Sequence, residues 1–546
     1  MTESQTGTML PAQGSPLLIA SLFQAAMATA STQEIVYADR GRYSYKVFGE
    51  RVHRLAAALA ALGVRPGQTV GVMDWDTHRY LECFFAVPMM GAVLHTINVR
   101  LSAEQILYTI NHAEDDIILV NGEFLPLVEQ MWDRVDPGKT LVLLNDAAET
   151  PATKLPVAGE YEALLAQAAP EFEFPILDET SRATTFYTTG TTGLPKGVYF
   201  SHRQLVLHTL AGKGALAGKG QGRFNETDVY MPVTPMFHVH AWGMPYLATM
   251  MGVKQVYPGR YHPETLLDLI QREGVTFSHC VPTILQMILN GAEKRGARLD
   301  GWTVVIGGAA LPLALCKQAL AMGIDVFTGY GMSETCPILT VAQLRHGMET
   351  LPADMQAEVR CKAGRAIPLV QLRIVDPEMN DVPRDGVTAG EIVVRAPWLT
   401  EGYLKDPVNS QTLWAGGWLH TGDIGVIDTD GYLKITDRLK DVIKSGGEWI
   451  SSIDVEDLIL RHPAVAEVAV IGVPDPKWSE RPLAIIVLRP GQEAEADEIR
   501  LHLQAFVAKG LISAFAVPQN VKFVDHLPRT SVGKLNKRTL REDFTA

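Results

Sequence analysis

The sequence predicts an α/β protein: a large N-terminal domain of βα-wound sheets, a β-rich subdomain, and a small mobile α+β lid at the C-terminus. Three observations predict it. Apolar helix faces alternate with short buried strands over residues 44–120 and again over 228–340, the rhythm of parallel sheets covered on both faces. Residues 365–436 break into shorter strands with Gly, Asp and Pro turns. A separate set of strands and a helix follows Asp437-Arg438-Leu439-Lys440. The expected division is 1–436, a hinge linker at 437–440, and 441–546.

Each element has a local reason. Pro16 to Ala30 is apolar and ends in Ala28-Thr29-Ala30, which mimics a signal-peptidase site, but no Lys or Arg precedes it. A packed amphipathic helix with Leu17, Leu18, Leu22 and Phe23 inward is expected instead. Val52, Leu55, Leu59 and Leu62 recur at helical spacing, and Gly63, Pro66 and Gly67 stop that helix. Thr69 to Met73 reads as a strand, Tyr80 to Met90 as a helix, and Ile117 to Val120 as a buried strand. Residues 145–180 lack periodicity and read as a loop-like connection. Ala211-Gly212-Lys213-Gly214 and Ala217-Gly218-Lys219-Gly220 read as a mobile surface loop with no nucleotide role. In the C-terminal part, strands are expected at Val465 to Val473 and Leu483 to Leu488, joined by a Pro-Asp-Pro loop, with a helix near Ile499 to Val507.

With 47% apolar and 20% charged residues in 546, the chain has the composition of a globular protein of about two to four domains. A net charge of −13 argues against a general nucleic-acid or anionic-membrane surface. The five cysteines show no C-x-x-C spacing, so neither a zinc site nor a disulfide framework is expected. The apolar stretch Phe84 to Ile97 is interrupted by Pro88 and Gly91 and is too short to span a bilayer. A soluble, cytoplasmic protein is expected.

The most informative stretch runs from Tyr187 to Gly197, with four threonines, three glycines and one lysine in eleven residues. Glycines let backbone N–H groups converge on an anion, while threonine hydroxyls and Lys196 add donors and charge. This is a phosphate cradle, but not the G-x-x-x-x-G-K-[ST] loop. Further along, the strand Val304-Val305-Ile306 runs into Gly307-Gly308-Ala309-Ala310, small residues against which a flat ring can lie at a strand's C-terminal edge. Val326 to Glu334 repeats the plan, with an aromatic ring at Tyr330, a hydroxyl at Ser333 and a carboxylate at Glu334. A serine hydrolase built on Ser333 is excluded, because Gly331-Met332-Ser333-Glu334-Thr335 lacks the second glycine of the nucleophile elbow.

These motifs are followed by Gly390-Glu391, Trp418 to Asp423, Asp437 to Asp441, Ser445-Gly446-Gly447 and Pro528 to Lys534. As an ordered set they resemble the adenylate-forming acyl-CoA synthetase superfamily over nearly the whole chain. Val87 to Leu101, Pro235 to Gly243 and Lys444 to Ser451 look most like bacterial medium- to long-chain fatty-acyl-CoA synthetases.

The resemblance implies a two-step reaction. A carboxylate attacks the α-phosphate of Mg-ATP, giving an acyl-adenylate and pyrophosphate; the small domain then rotates, and CoA displaces AMP. On this reading Thr188, Thr189, Gly190, Thr191, Thr192, Gly193 and Lys196 hold phosphates, and Thr188 and Glu334 hold Mg2+. Gly308, Thr328, Gly329 and Tyr330 surround the adenine, Ser333 belongs to the ATP site, Asp423 takes the ribose hydroxyls, and Arg438 reaches ribose or phosphate. Lys534 is the catalytic cation of the first step. Lys440 is the hinge, Lys444 and Trp449 lie near the nucleotide, and Gly446 and Gly447 line the CoA tunnel. His238 stands by the acyl-adenylate, and His238, His240, Trp242, Gly308 and Ala309 build the acid pocket, with Trp242 at the position of an aromatic gate.

Departures narrow the acid. Phe237-His238-Val239-His240 has no aspartate for an α-amine, and Cys336-Pro337-Ile338-Leu339 is apolar, so a neutral or apolar acid is expected. A short or functionalised acid, such as methylthiopropionate or an aryl acid, remains the alternative. Thr189 stands where many relatives have serine. Little sequence follows Lys534, so a diffusible acceptor is expected, which favours CoA. Close relatives commonly form homodimers, though no residue here points to one.

Overall fold

The computed structural model describes residues 15–147, 149–188, 194–217, 223–445, 448–529 and 535–545. A seven-stranded sheet and a nine-stranded sheet share one hydrophobic core. The first runs in the spatial order Val157–Glu160, Thr140–Leu144, Asp115–Asn121, Thr69–Met73, Val93–Thr96, Arg182–Tyr187 and Gly197–Ser201. Its pairs are parallel except the last. The second runs Arg365–Ala366, Ile338–Val341, Asp325–Gly331, Thr303–Ile306, Phe277–Cys280, Val229–Pro232, Lys254–Tyr257, Glu34–Tyr37 and Gly41–Ser44. Its six central strands are parallel, so their C-terminal ends share one edge, where ligands bind in open α/β sheets.

The helices form for the expected reasons. Tyr45–Ala61 is capped by the Ser44 hydroxyl and buries Phe48, Val52, Leu55 and Leu59. His78–Met89 is capped by Thr77 and buried along nearly its whole surface. Near the N-terminus the helix is Ile19–Thr29, burying Ile19, Leu22, Phe23 and Ala26; Leu17 and Leu18 precede it and are half-buried.

Two expectations are corrected. Residues 145–180 are not a plain connection: they contain the strand Val157–Glu160 and the helix Tyr161–Gln167. The strand adds a parallel edge to Thr140–Leu144, and Tyr161 and Leu165 are buried. Both elements are too short for periodicity to reveal. Ala211 to Gly214 is not a loop but the last turn of the helix His202–Ala215. Ala211 is buried, and the Lys213 ammonium donates to the Phe224 carbonyl at 2.6 Å. Residues 218–220 lie outside the described set.

The β-rich subdomain is an antiparallel meander, Gln371–Val375, Gly390–Arg395, Leu419–Ile427 and Leu433–Arg438. A smaller C-terminal domain follows, with strands Ile443–Ser445, Glu448–Ile450, Val465–Asp475, Ser479–Leu488 and Asn520–Phe523. Its apolar clusters, around Ile459, Val470 and Leu503 and around Ile471, Leu527 and Leu540, are separate from the main core. Asp437 joins the two parts: its carboxylate accepts from Arg438 N–H and Ser452 N–H, each at 2.7 Å. No described helix is long and apolar enough to cross a membrane.

Candidate active site

The strand Arg182–Tyr187 delivers Thr188 to the sheet edge, and the chain returns at Lys196. Thr188 N–H donates to the Lys196 carbonyl at 2.9 Å, and Lys196 N–H to the Thr188 hydroxyl at 3.4 Å. The Lys196 ammonium donates to Asn409 Oδ1 at 2.9 Å and stands 4.7 Å over the Tyr403 ring. The Tyr403 hydroxyl donates to Glu334 Oε1 at 2.6 Å. Glu334 is buried, and loss of water raises its pKa although Tyr403 and Lys196 both favour the charged form. Gly331 lets the Glu334 turn form, since a Cβ there would lie 1.7 Å from the Pro337 carbonyl oxygen.

A second corner gathers at the end of Asp325–Gly331. The Tyr330 hydroxyl donates to Asp423 Oδ2 at 2.7 Å, and Arg438 Nε lies 3.5 Å from Asp423 Oδ1. Asp423 and Arg438 are register partners on neighbouring strands, so the pairing follows from the meander itself. The Thr328 hydroxyl is committed to the Lys362 carbonyl, and Gly329 pairs with Val341. Gly308, in the left-handed region at φ 78°, and Ala309 are exposed at the adjacent strand end. Ser333 is half-buried, and Lys440 lies in the exposed turn after Arg438.

The third part is a tight apolar cavity, with about 20 Å³ of space open to a water-sized sphere. Its wall includes Trp242, His208, His279, Val305, Ile338 and Val341. The Trp242 ring lies 5.0 Å from the His279 ring and against Gly307, where a Cβ would come 2.8 Å from the indole. Burial lowers the pKa of both His208 and His279 to about 3, so both imidazoles are neutral at physiological pH.

His238, half-buried, opens a segment in which Val239, His240, Ala241, Trp242 and Gly243 all have positive φ, from 46° to 74°. Several contacts hold it. Asp76 Oδ1 accepts from Met236 N–H at 2.8 Å, and the Thr96 hydroxyl donates to the Phe237 carbonyl at 3.0 Å. Tyr261 donates its hydroxyl to the other Asp76 oxygen, and burial raises the Asp76 pKa to about 7. His240 does not line the cavity, contrary to expectation. It is fully buried among the rings of Phe84, Phe186, Phe200 and Tyr246, because the left-handed turn directs it into the core between the sheets.

The fold therefore brings Thr188, Lys196 and Glu334 together, groups Tyr330, Asp423 and Arg438, and sets Trp242 on the cavity. Thr189, Gly190, Thr191, Thr192, Gly193, Gly446, Gly447 and Lys534 lie outside the described residues, as do the side chains of Lys444 and Trp449. Sequence reasoning missed Tyr403, Asn409, His208 and His279. Each reaches the site from a distant element, and none sits in a motif of its own.

Residues 22–404 match the family model for AMP-binding enzyme, and residues 454–534 that for the AMP-binding enzyme C-terminal domain. A long-chain-fatty-acid–CoA ligase from Thermus thermophilus is 42% identical, with 92% of this chain and 90% of that protein covered. A 3-methylmercaptopropionyl-CoA ligase from Ruegeria lacuscaerulensis is 40% identical, with 97% of each covered. Among solved structures, an anthranilate CoA ligase in complex with anthranoyl-AMP superposes with a TM-score of 0.83 at 24% identity, covering 97% of this chain and 98% of that one. With a matched adenylation body and C-terminal domain, the chain belongs to the AMP-binding enzyme family, the adenylate-forming superfamily. It is an AMP-forming acid–thiol ligase, an acyl-CoA ligase that takes ATP, CoA and a carboxylic acid.

Proposed function

We propose that this ligase activates a medium- to long-chain fatty acid through an acyl-adenylate and then forms the CoA thioester, releasing AMP and pyrophosphate. The observation that carries the acid assignment is the apolar cavity faced by Trp242, whose histidines are uncharged. Such a wall suits an alkyl chain and disfavours a charged one. The name of the Thermus relative supports the same reading.

In the first step the substrate carboxylate attacks the α-phosphate of ATP while Thr188 to Lys196 hold the departing phosphates. Lys534 stabilises the charge that builds between them, with His238 beside the new acyl-adenylate. Asp423 accepts from the ribose hydroxyls, and Arg438 reaches ribose or phosphate. Mg2+ suits Glu334 and Thr188, which offer hard oxygen donors. Among the described residues no group of three His, Cys, Asp or Glu could hold a metal by itself, so Glu334 and Thr188 would hold the ion only together with the nucleotide. When bound, the ion neutralises phosphate charge. Rotation about residues 437–440 then opens the path along Gly446 and Gly447 to CoA.

A second reading, a ligase for a small sulfur-containing acid, is favoured by the Ruegeria relative, which is nearly as similar. The deciding experiment is thioester formation from ATP, CoA and acids of roughly two to eighteen carbons, with 3-methylmercaptopropionate included. A maximum at medium or long chains supports the first reading; a maximum at the sulfur acid supports the second. Lys534→Ala should slow adenylate formation on the order of 10²–10³-fold and largely spare thioester formation from supplied acyl-adenylate. Equal loss in both steps would remove Lys534 from the first.

A further inference from the structure

The helix Pro407–Leu413 and the loop before it are seated on the strand that follows Lys196. Leu404 N–H donates to the Gly197 carbonyl at 2.8 Å. A Cβ on Gly197 would come 3.0 Å from that of Leu404, so a glycine at this point lets the two backbones lie close. Tyr403 N–H donates to the Ser410 hydroxyl at 2.8 Å, which closes the loop onto the helix. Asn409 is thereby brought to Lys196, although 213 positions separate them in the sequence.

Asp406 caps that helix. Its Oδ1 accepts from Asn409 N–H at 3.1 Å, and its Oδ2 from the Asn409 side-chain amide at 2.6 Å. The Asn409 Oδ1 accepts from the Lys196 ammonium at 2.9 Å. The amide has one workable orientation. An ionised carboxylate only accepts and an ammonium only donates, so the NH2 group faces Asp406 and the oxygen faces Lys196. Asn409 is thus a neutral link between an anion and a cation. Among the described residues no other acceptor takes a bond from that ammonium, and its remaining N–H groups can turn to phosphate oxygens.

We propose that Asn409 is a positioning residue for ATP: it fixes the Lys196 ammonium at the phosphate corner through an uncharged acceptor, so that the cation's charge stays available to the β- and γ-phosphates. This rests on the reading of Lys196 as a phosphate-holding residue. A lysine that is held loses rotamer freedom. A side chain already fixed by Asn409 and by the Tyr403 ring has less of it to lose when ATP arrives. The neutrality of the acceptor matters as much. A carboxylate in its place would hold the ammonium in an ion pair and would repel the incoming phosphates.

The test is ATP–pyrophosphate exchange with the preferred acid, read as separate KM values for ATP, pyrophosphate and the acid. Asn409→Leu keeps the size of the side chain and loses the acceptor. It should raise the KM values for ATP and pyrophosphate about tenfold, the scale of a hydrogen bond to a charged group, and leave the KM for the acid and the melting temperature unmoved. Asn409→Asp should raise them further, and its excess over Asn409→Leu should shrink as salt is added. Asn409→Gln, which keeps both amide groups, should recover part of the loss. In a Lys196→Ala background Asn409→Leu should change neither value, because the group it positions is gone. Equal rises in both backgrounds would overturn the proposal, as would a matching rise in the KM for the acid. A silent Asn409→Leu beside a Lys196→Ala that weakens ATP binding would remove Asn409 alone. A Lys196→Ala with an unchanged KM for ATP would remove the phosphate role of Lys196 and this proposal with it.

Discussion

Tyr403 joins the two charged groups of the phosphate corner, lying under the Lys196 ammonium and donating to Glu334. A hydrogen bond to a buried carboxylate favours its ionised form. Tyr403→Phe should therefore raise the Mg2+ concentration for half-maximal pyrophosphate release by about tenfold; an unchanged Mg2+ requirement would detach Tyr403 from the metal corner. Asp76 makes a prediction about pH. Its pKa rises from 3.8 to about 7, chiefly by burial. Between those values the unfolded chain releases a proton that the folded chain retains, so stability falls as pH rises. Asp76→Asn should flatten that fall by roughly 2–3 kcal/mol at most, read as urea unfolding at pH 5 and pH 7. An equal slope in both proteins would show that Asp76 is not the group responsible.

At the scale of elements, the strand Thr303–Ile306 ends at Gly307 with no room for a Cβ beside Trp242. Gly307→Ala should push the indole into the cavity and shift the preferred acid toward shorter chains, by roughly two carbons. An unmoved chain-length profile would show that Trp242 does not set the depth. The motif glycines were legible in the sequence because the conformation and close approach they permit are local properties. The helix at Tyr161–Gln167 was not, since fewer than two turns give no period to read. The helical state of Gly212 and Gly214 was also hidden, because tertiary packing overrides glycine's weak helix propensity. His279 lay unnoticed inside an ordinary core strand.

At the scale of the whole molecule, the separate apolar clusters of the C-terminal domain and the short connection after Arg438 suit a body and a lid that turn relative to each other. Lys440→Pro removes backbone freedom in that connection. It should leave ATP–pyrophosphate exchange in place and slow thioester formation by about tenfold or more; equal slowing of both half-reactions would deny Lys440 a hinge role. The left-handed turn from Val239 to Gly243 belongs to this scale too. Such a backbone costs roughly 1–2 kcal/mol for each residue that carries a Cβ. It is held by Asp76 and Thr96 from one sheet, by the aromatic rings around His240, and by the seat of Trp242 on the other sheet. The segment is thus a keystone rather than a cassette. Grafted alone into another scaffold it would relax to a right-handed conformation, so new acid preferences have to be engineered by changing side chains on the native turn.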